Sequence, residues 1–119
     1  MTGTIERAST AVIGRIVSIE AAAPLVSVVR VRPDDAFDWR AGQFAALRFP
    51  DFEIRNYSIS NRPGEGEIEF HIRDNGGGVG AHVASTASVG DPVEIAGPFG
   101  SAYFRRRHGG PLLAIAGGT

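Results

Sequence analysis

The sequence has no cysteine and no lysine, and only one methionine and one tryptophan among its 119 residues. Without cysteine this chain can form no disulfide, thiolate nucleophile, zinc finger or cysteine-ligated iron–sulfur cluster. Neither charge is in surplus: 12 basic residues, all arginine, stand against 13 acidic ones for a net charge of −1. That balance argues against strong nonspecific attraction to nucleic acid or membranes. No apolar run approaches the roughly 20 residues of a membrane helix. Met1–Thr10 lacks a cationic stretch followed by an apolar one, so no signal peptide is expected and the cytoplasm is the expected location. What is present is ordinary globular material, 43% hydrophobic and 21% charged, enough for one core. Glycine is the excess: 16 residues, nearly twice its usual share of about 7%. With seven prolines it announces many turns and several close backbone approaches.

The dominant period is two. Ala11–Glu20, Leu25–Val31, Gln43–Phe49, Ile54–Ser60, Glu67–Arg73 and Pro92–Ala96 read as short strands, with Ile13, Val17 and Ile19 expected on one face of the first. Turn chemistry separates them at Ala23-Pro24, Arg32–Asp35, Arg62–Gly66 and Val89–Asp91. Val79–Ala87 is different: small residues, with Val79 and Val83 at i and i+4, predict a short helix opened by Asn75–Gly78. The pattern predicts an all-β fold, an antiparallel barrel of six strands with one short capping helix. Leu112–Ala116 is continuously apolar, as in a strand buried on both faces of a parallel sheet. The expected division is therefore a barrel over residues 1–110, and at 111–119 the first strand of an α/β domain that the chain breaks off.

Three segments could carry chemistry. An Arg and a Tyr at alternate positions in Arg55-Asn56-Tyr57-Ser58 could hold a phosphate and support a planar ring, or be solvated and half-buried without a ligand. Asn75–Gly80 is a glycine turn into a helix, suited to phosphate, although it lacks the Gly-Lys-Ser/Thr of a P-loop. Gly97-Pro98-Phe99-Gly100, with Tyr103 and Phe104 behind it, could cover a purine or simply plug the end of a barrel. Arg105–His108 reads as a solvated charged turn. His71, His82 and His108 have no ligand-like spacing, so no metal site is expected.

In this order the segments resemble one family, the FAD-binding domain of ferredoxin–NADP⁺ reductase-type flavoproteins. The resemblance rests on Phe37…Ala41-Gly42-Gln43-Phe44, Arg55-Asn56-Tyr57-Ser58, Gly76-Gly77-Gly78-Val79, Val89-Gly90-Asp91, Gly97–Gly100 and Leu113–Thr119, and it covers about residues 10 to 119. Phe70-His71-Ile72-Arg73 and Tyr103–Arg106 look closest to reductase components of bacterial aromatic-ring dioxygenases and monooxygenases. The resemblance implies a Greek-key barrel holding FAD, with Arg55 on the flavin phosphate and Asn56 in the same cofactor-contacting tetrapeptide. It implies catalytic positions at Tyr57, along the ring, and Ser58, near flavin N5. Ile72 and Arg73 would line the cofactor, Gly77, Gly78, Val79 and Gly80 would meet the pyrophosphate, and Tyr103 or Phe104 would lie against adenine. The family usually has Ser or Thr where this sequence has Gly80, so Gly80→Ser is expected to tighten flavin binding. FMN-binding relatives share the Arg-x-Tyr-Ser pattern, which leaves FMN open. The parent reaction implied is electron flow from NAD(P)H through flavin to an iron–sulfur or haem protein, with NAD(P)H bound only by a further C-terminal domain. The rival reading is a noncatalytic OB-like barrel that binds an oligonucleotide or another protein, against which the charge balance counts.

Overall fold

Five of the six strands bury apolar side chains, and β4 adds only the half-buried Tyr57, around a single core. The computed structural model describes residues 11–117. Its strands are β1 (Val12–Ala23), β2 (Val26–Pro33), β3 (Phe44–Arg48), β4 (Arg55–Ser58), β5 (Ile68–Arg73) and β6 (Pro92–Phe99), and its one helix is α1 (Gly78–Ser85). All strand pairs are antiparallel, in the order β4-β3-β6-β1-β2-β5. The sheet curls until its two edges meet at a bridge between Ile59 and Phe70. β3, β4 and β5 follow one another as neighbours, while β6 returns by a long connection to lie beside β3, which is a Greek key. That connection carries α1.

The core contains Ile16, Val31, Leu47, Phe49, Phe70, Ile72 and Ile95, all essentially inaccessible to water, and α1 adds Val79 and Val83 to it. α1 is thus held by Val79, Val83 and the His82 ring against Phe49 and Phe52, since an eight-residue helix is marginal on its own.

The expected inward face of β1 needs correction. Ile13 is exposed, and Gly14 and Ile16 are the buried residues of that strand. The register shifts between Ile16 and Ser18, and the extra residue of such a bulge moves the inward face from even to odd positions, so Ile19 packs on the core. Residues 111–117 form no strand, and Leu112, Leu113 and Ile115 are exposed, at 68%, 81% and 85%. A strand needs a hydrogen-bonded neighbour, and none of the described strands pairs with this run. Gly118 and Thr119, like Met1–Thr10, lie outside the described residues.

Candidate functional site

The β4–β5 hairpin places two of the predicted segments side by side. β4 starts at Arg55, the turn lies near Arg62–Gly66, and β5 returns to Arg73, so Arg55 and Arg73 share the open end of the hairpin. The chain then bends back through Asp74–Gly77 into α1. The Asp74 carboxylate accepts the Gly76 N–H at 2.9 Å, and Gly76 and Gly78 take positive φ angles of 96° and 65°, which only glycine adopts without strain. This loop lays the start of α1 along the end of β5.

Between them is a cavity of about 450 Å³ lined by Arg55, Asn56, Tyr57, His71, Arg73, Asn75 and Gly77–Gly80. No carboxylate lines it. Two arginines therefore border the same cavity as the first amides of a helix, whose own geometry leaves them without intrahelical acceptors. The Arg55 guanidinium pairs at 3.4 Å with Glu53, itself highly exposed, a contact of small worth that a phosphate could replace. Tyr57 is half-buried and packs on the core. Burial pushes its phenol above the ordinary value, with Arg55 pulling the other way, so the hydroxyl stays protonated at neutral pH.

Of the predicted site residues, eight gather here: Arg55, Asn56, Tyr57, Arg73, Gly77, Gly78, Val79 and Gly80. Ser58 follows on β4 as an exposed residue paired with Phe44, outside the cavity lining. The Ile72 side chain is in the core, leaving only its backbone to face a ligand. Tyr103 is elsewhere. Gly42, at φ +105°, lets the loop after β6 fold onto the 39–42 turn so closely that a Cβ there would lie 2.2 Å from the Ala102 carbonyl oxygen. Tyr103 consequently lines a second, larger cavity with Trp39, Arg40 and Pro63, at the turn end of the β4–β5 hairpin. Its ring is already covered by guanidiniums, Arg105 at 3.7 Å and Arg40 at 5.0 Å. His71 is a cavity residue that the sequence does not single out as a cofactor contact. Strand alternation with Arg73 was the available signal for His71, while Asn75 comes with the turn.

Gly80 also departs from expectation. A Cβ there would stand 2.1 Å from the Arg73 carbonyl oxygen and 3.0 Å from Asp74 Cα. The hydroxyl side chain expected to help at this position has no room as the backbone stands.

The family model described as oxidoreductase FAD-binding domain matches residues 15–104. The chain belongs to that family. It is 37% identical over 107 residues to the reductase component of the naphthalene 1,2-dioxygenase system of Pseudomonas putida, covering 89% of this chain and 33% of that relative. Among solved structures, a cytochrome P450 reductase from Amycolatopsis superposes with a TM-score of 0.74 at 25% identity, over 81% of this chain and 30% of that one. The ferredoxin reductase of a carbazole 1,9a-dioxygenase gives 0.73 at 23%, over 82% and 31%. The chain thus spans about a third of the length of the relatives it matches. Membership takes the place of the OB-like reading.

The cavity can be tested against the cofactor the family binds. A pyrophosphate carries negative charge and many acceptor oxygens, and here it would meet two arginines, a run of helix-terminal amides and no opposing carboxylate. Tyr57 offers an aromatic face beside them. The residues fit.

Proposed function

We propose that this chain is the flavin-holding unit of an NAD(P)H-dependent reductase whose electrons pass to an iron–sulfur or haem protein. The carrying observation is one cavity with Arg55 and Arg73 on one wall and Gly77–Gly80 on the other. Bound flavin supplies the redox chemistry, accepting a pair of electrons from a reduced nicotinamide and passing them on singly. The protein's part is to bind and orient. Arg55 and Arg73 neutralise phosphate charge, and the amides of Gly78, Val79 and Gly80 donate to its oxygens. Neutral Tyr57 supports the ring without placing a charge against it, and the exposed hydroxyl of Ser58, next along β4, is the donor closest in sequence to reach N5. The Ile72 backbone borders the cofactor while its side chain stays in the core.

Nicotinamide binding is assigned to the part of the longer relatives that this chain does not span. In this reading residues 1–110 are the flavin barrel, and residues 111–119 begin the nicotinamide domain, where Leu112, Leu113 and Ile115 would find strand neighbours. A cytoplasmic setting goes with it, because reduced nicotinamide is available there. Among the described residues no helix is long and apolar enough to cross a membrane. FAD is the family's ligand, and a cradle built for phosphate would also accept FMN.

The direct test is flavin fluorescence during titration with the protein and with Arg55→Ala. Removing one charge-assisted contact should weaken FAD by about 1.5–3 kcal/mol. Unchanged affinity would remove Arg55 from the site and the reading with it.

A further inference from the structure

Gly80 is buried at the point where α1 crosses the end of β5, and the obstacle a side chain would meet there is backbone, not a movable group. The Arg73 carbonyl oxygen and carbon would lie 2.1 and 2.9 Å from a Cβ, and Asp74 Cα 3.0 Å. To admit one, the start of the helix must retreat from β5 by roughly 1 Å, a displacement large enough to disrupt a positioned site. The parts that would separate are the two walls of the cavity: the amides of Gly78–Gly80 on α1, and Arg73 on β5.

We infer that Gly80 is a positioning residue, and that its lack of a side chain sets the width of the phosphate cradle by letting α1 rest on the β5 backbone. This rests on the flavin reading above and sharpens it. Where the family pattern would add a hydroxyl donor, this chain gains closer approach, and the two cannot be had together on this backbone. Gly77, by contrast, has open space around its Cβ position, so tight contact is not general to the loop. The inference also separates ligands. A widened cradle weakens those that carry phosphate and leaves the ring contacts at Tyr57 alone.

The experiment is equilibrium titration of the wild-type chain, Gly80→Ala and Gly80→Ser with FAD, FMN and riboflavin, each variant's fold checked by circular dichroism. Both variants should bind FAD and FMN at least about tenfold more weakly, with riboflavin changed by less than about threefold. Tighter FAD or FMN binding by Gly80→Ser overturns the inference, and so does an equal loss for all three flavins, which would mark a structural role only. Should neither variant fold, amide chemical shifts of the wild-type chain decide. Gly78, Val79 and Gly80 should respond to FMN and not to riboflavin, and an equal response to both overturns the inference. A wild-type chain that binds none of the three flavins overturns the flavin reading itself, and this inference with it. Binding by the wild type with tightening in Gly80→Ser overturns the inference alone.

Discussion

At the scale of single residues, the arginines of the cavity and those of the barrel wall differ in setting. Arg55, paired with Glu53, borders together with Arg73 a cavity that no carboxylate lines, whereas Arg30 and Arg32 pair with Glu67 and Glu69 between β2 and the start of β5. Glu69 is the most connected of these. The Ser60 hydroxyl donates to it at 2.8 Å, Arg30 pairs with it at 3.0 Å and His71 stands at 3.7 Å. The Ser60 hydrogen bond is the largest cause holding its carboxyl below the ordinary value, with Arg30 and His71 adding to it and partial burial opposing. A carboxylate depressed in the folded state stabilises it above the unfolded value, and that contribution is lost as pH falls through the folded one. Thermal unfolding followed from neutral pH into the acid range should therefore show a decline that Glu69→Gln flattens. An identical pH profile in the variant would remove Glu69 from the account. The contrast at Arg55 and Arg73 was legible in sequence only as a motif. That His71 joins them is legible only as strand alternation with Arg73, and Asn75 comes with the glycine turn.

Elements were easier to read than their phases. All six strands and the helix lie where period-two runs and the Val79/Val83 spacing put them, since burial of one face dictates alternation. The inward face at the start of β1 is misread from sequence because a bulge at Val17 leaves nothing visible in composition, yet it inverts the positions that follow it up to a second shift at Ala21–Ala23. The apolar run at 112–116 has the pattern of a strand, but a strand is a property of pairs, and none of the described strands pairs with it. Closure of the barrel depends on few contacts, and Phe70 is at both the Ile59 bridge and the fully buried core. Phe70→Ala should cost about 3–5 kcal/mol in denaturant unfolding. A loss under about 1 kcal/mol would mean the β4–β5 seam does not hold the barrel shut. Val83→Ala, on α1, should cost less, about 2 kcal/mol for the methyl groups removed. It should also lower flavin affinity, since the same helix carries one wall of the cavity. Lost stability with unchanged affinity would separate the cap from the site.

For the whole molecule, the two cavities divide the surface. One end of the β4–β5 hairpin carries the phosphate-suited walls, and the other carries the guanidinium-stacked Tyr103. The resemblance places Tyr103 against adenine, and loop geometry puts it at the opposite end of the hairpin from Arg55: Gly42 draws residues 101–103 onto the 39–42 turn, a contact between distant segments with no local signature. The exposed Leu112, Leu113 and Ile115 form the other whole-molecule feature. The chain should associate as its concentration rises, and Leu113→Lys with Ile115→Lys should abolish this in sedimentation velocity. Association unaffected by both changes would place the contact elsewhere. The proposed electron transfer, however, depends on whether this barrel holds flavin. The measurement that reaches that claim most directly is a visible absorbance spectrum of the purified chain after incubation with FAD and desalting. A retained flavin band, lost in Arg55→Ala, is the expected result. A colourless wild-type chain after desalting would contradict the account.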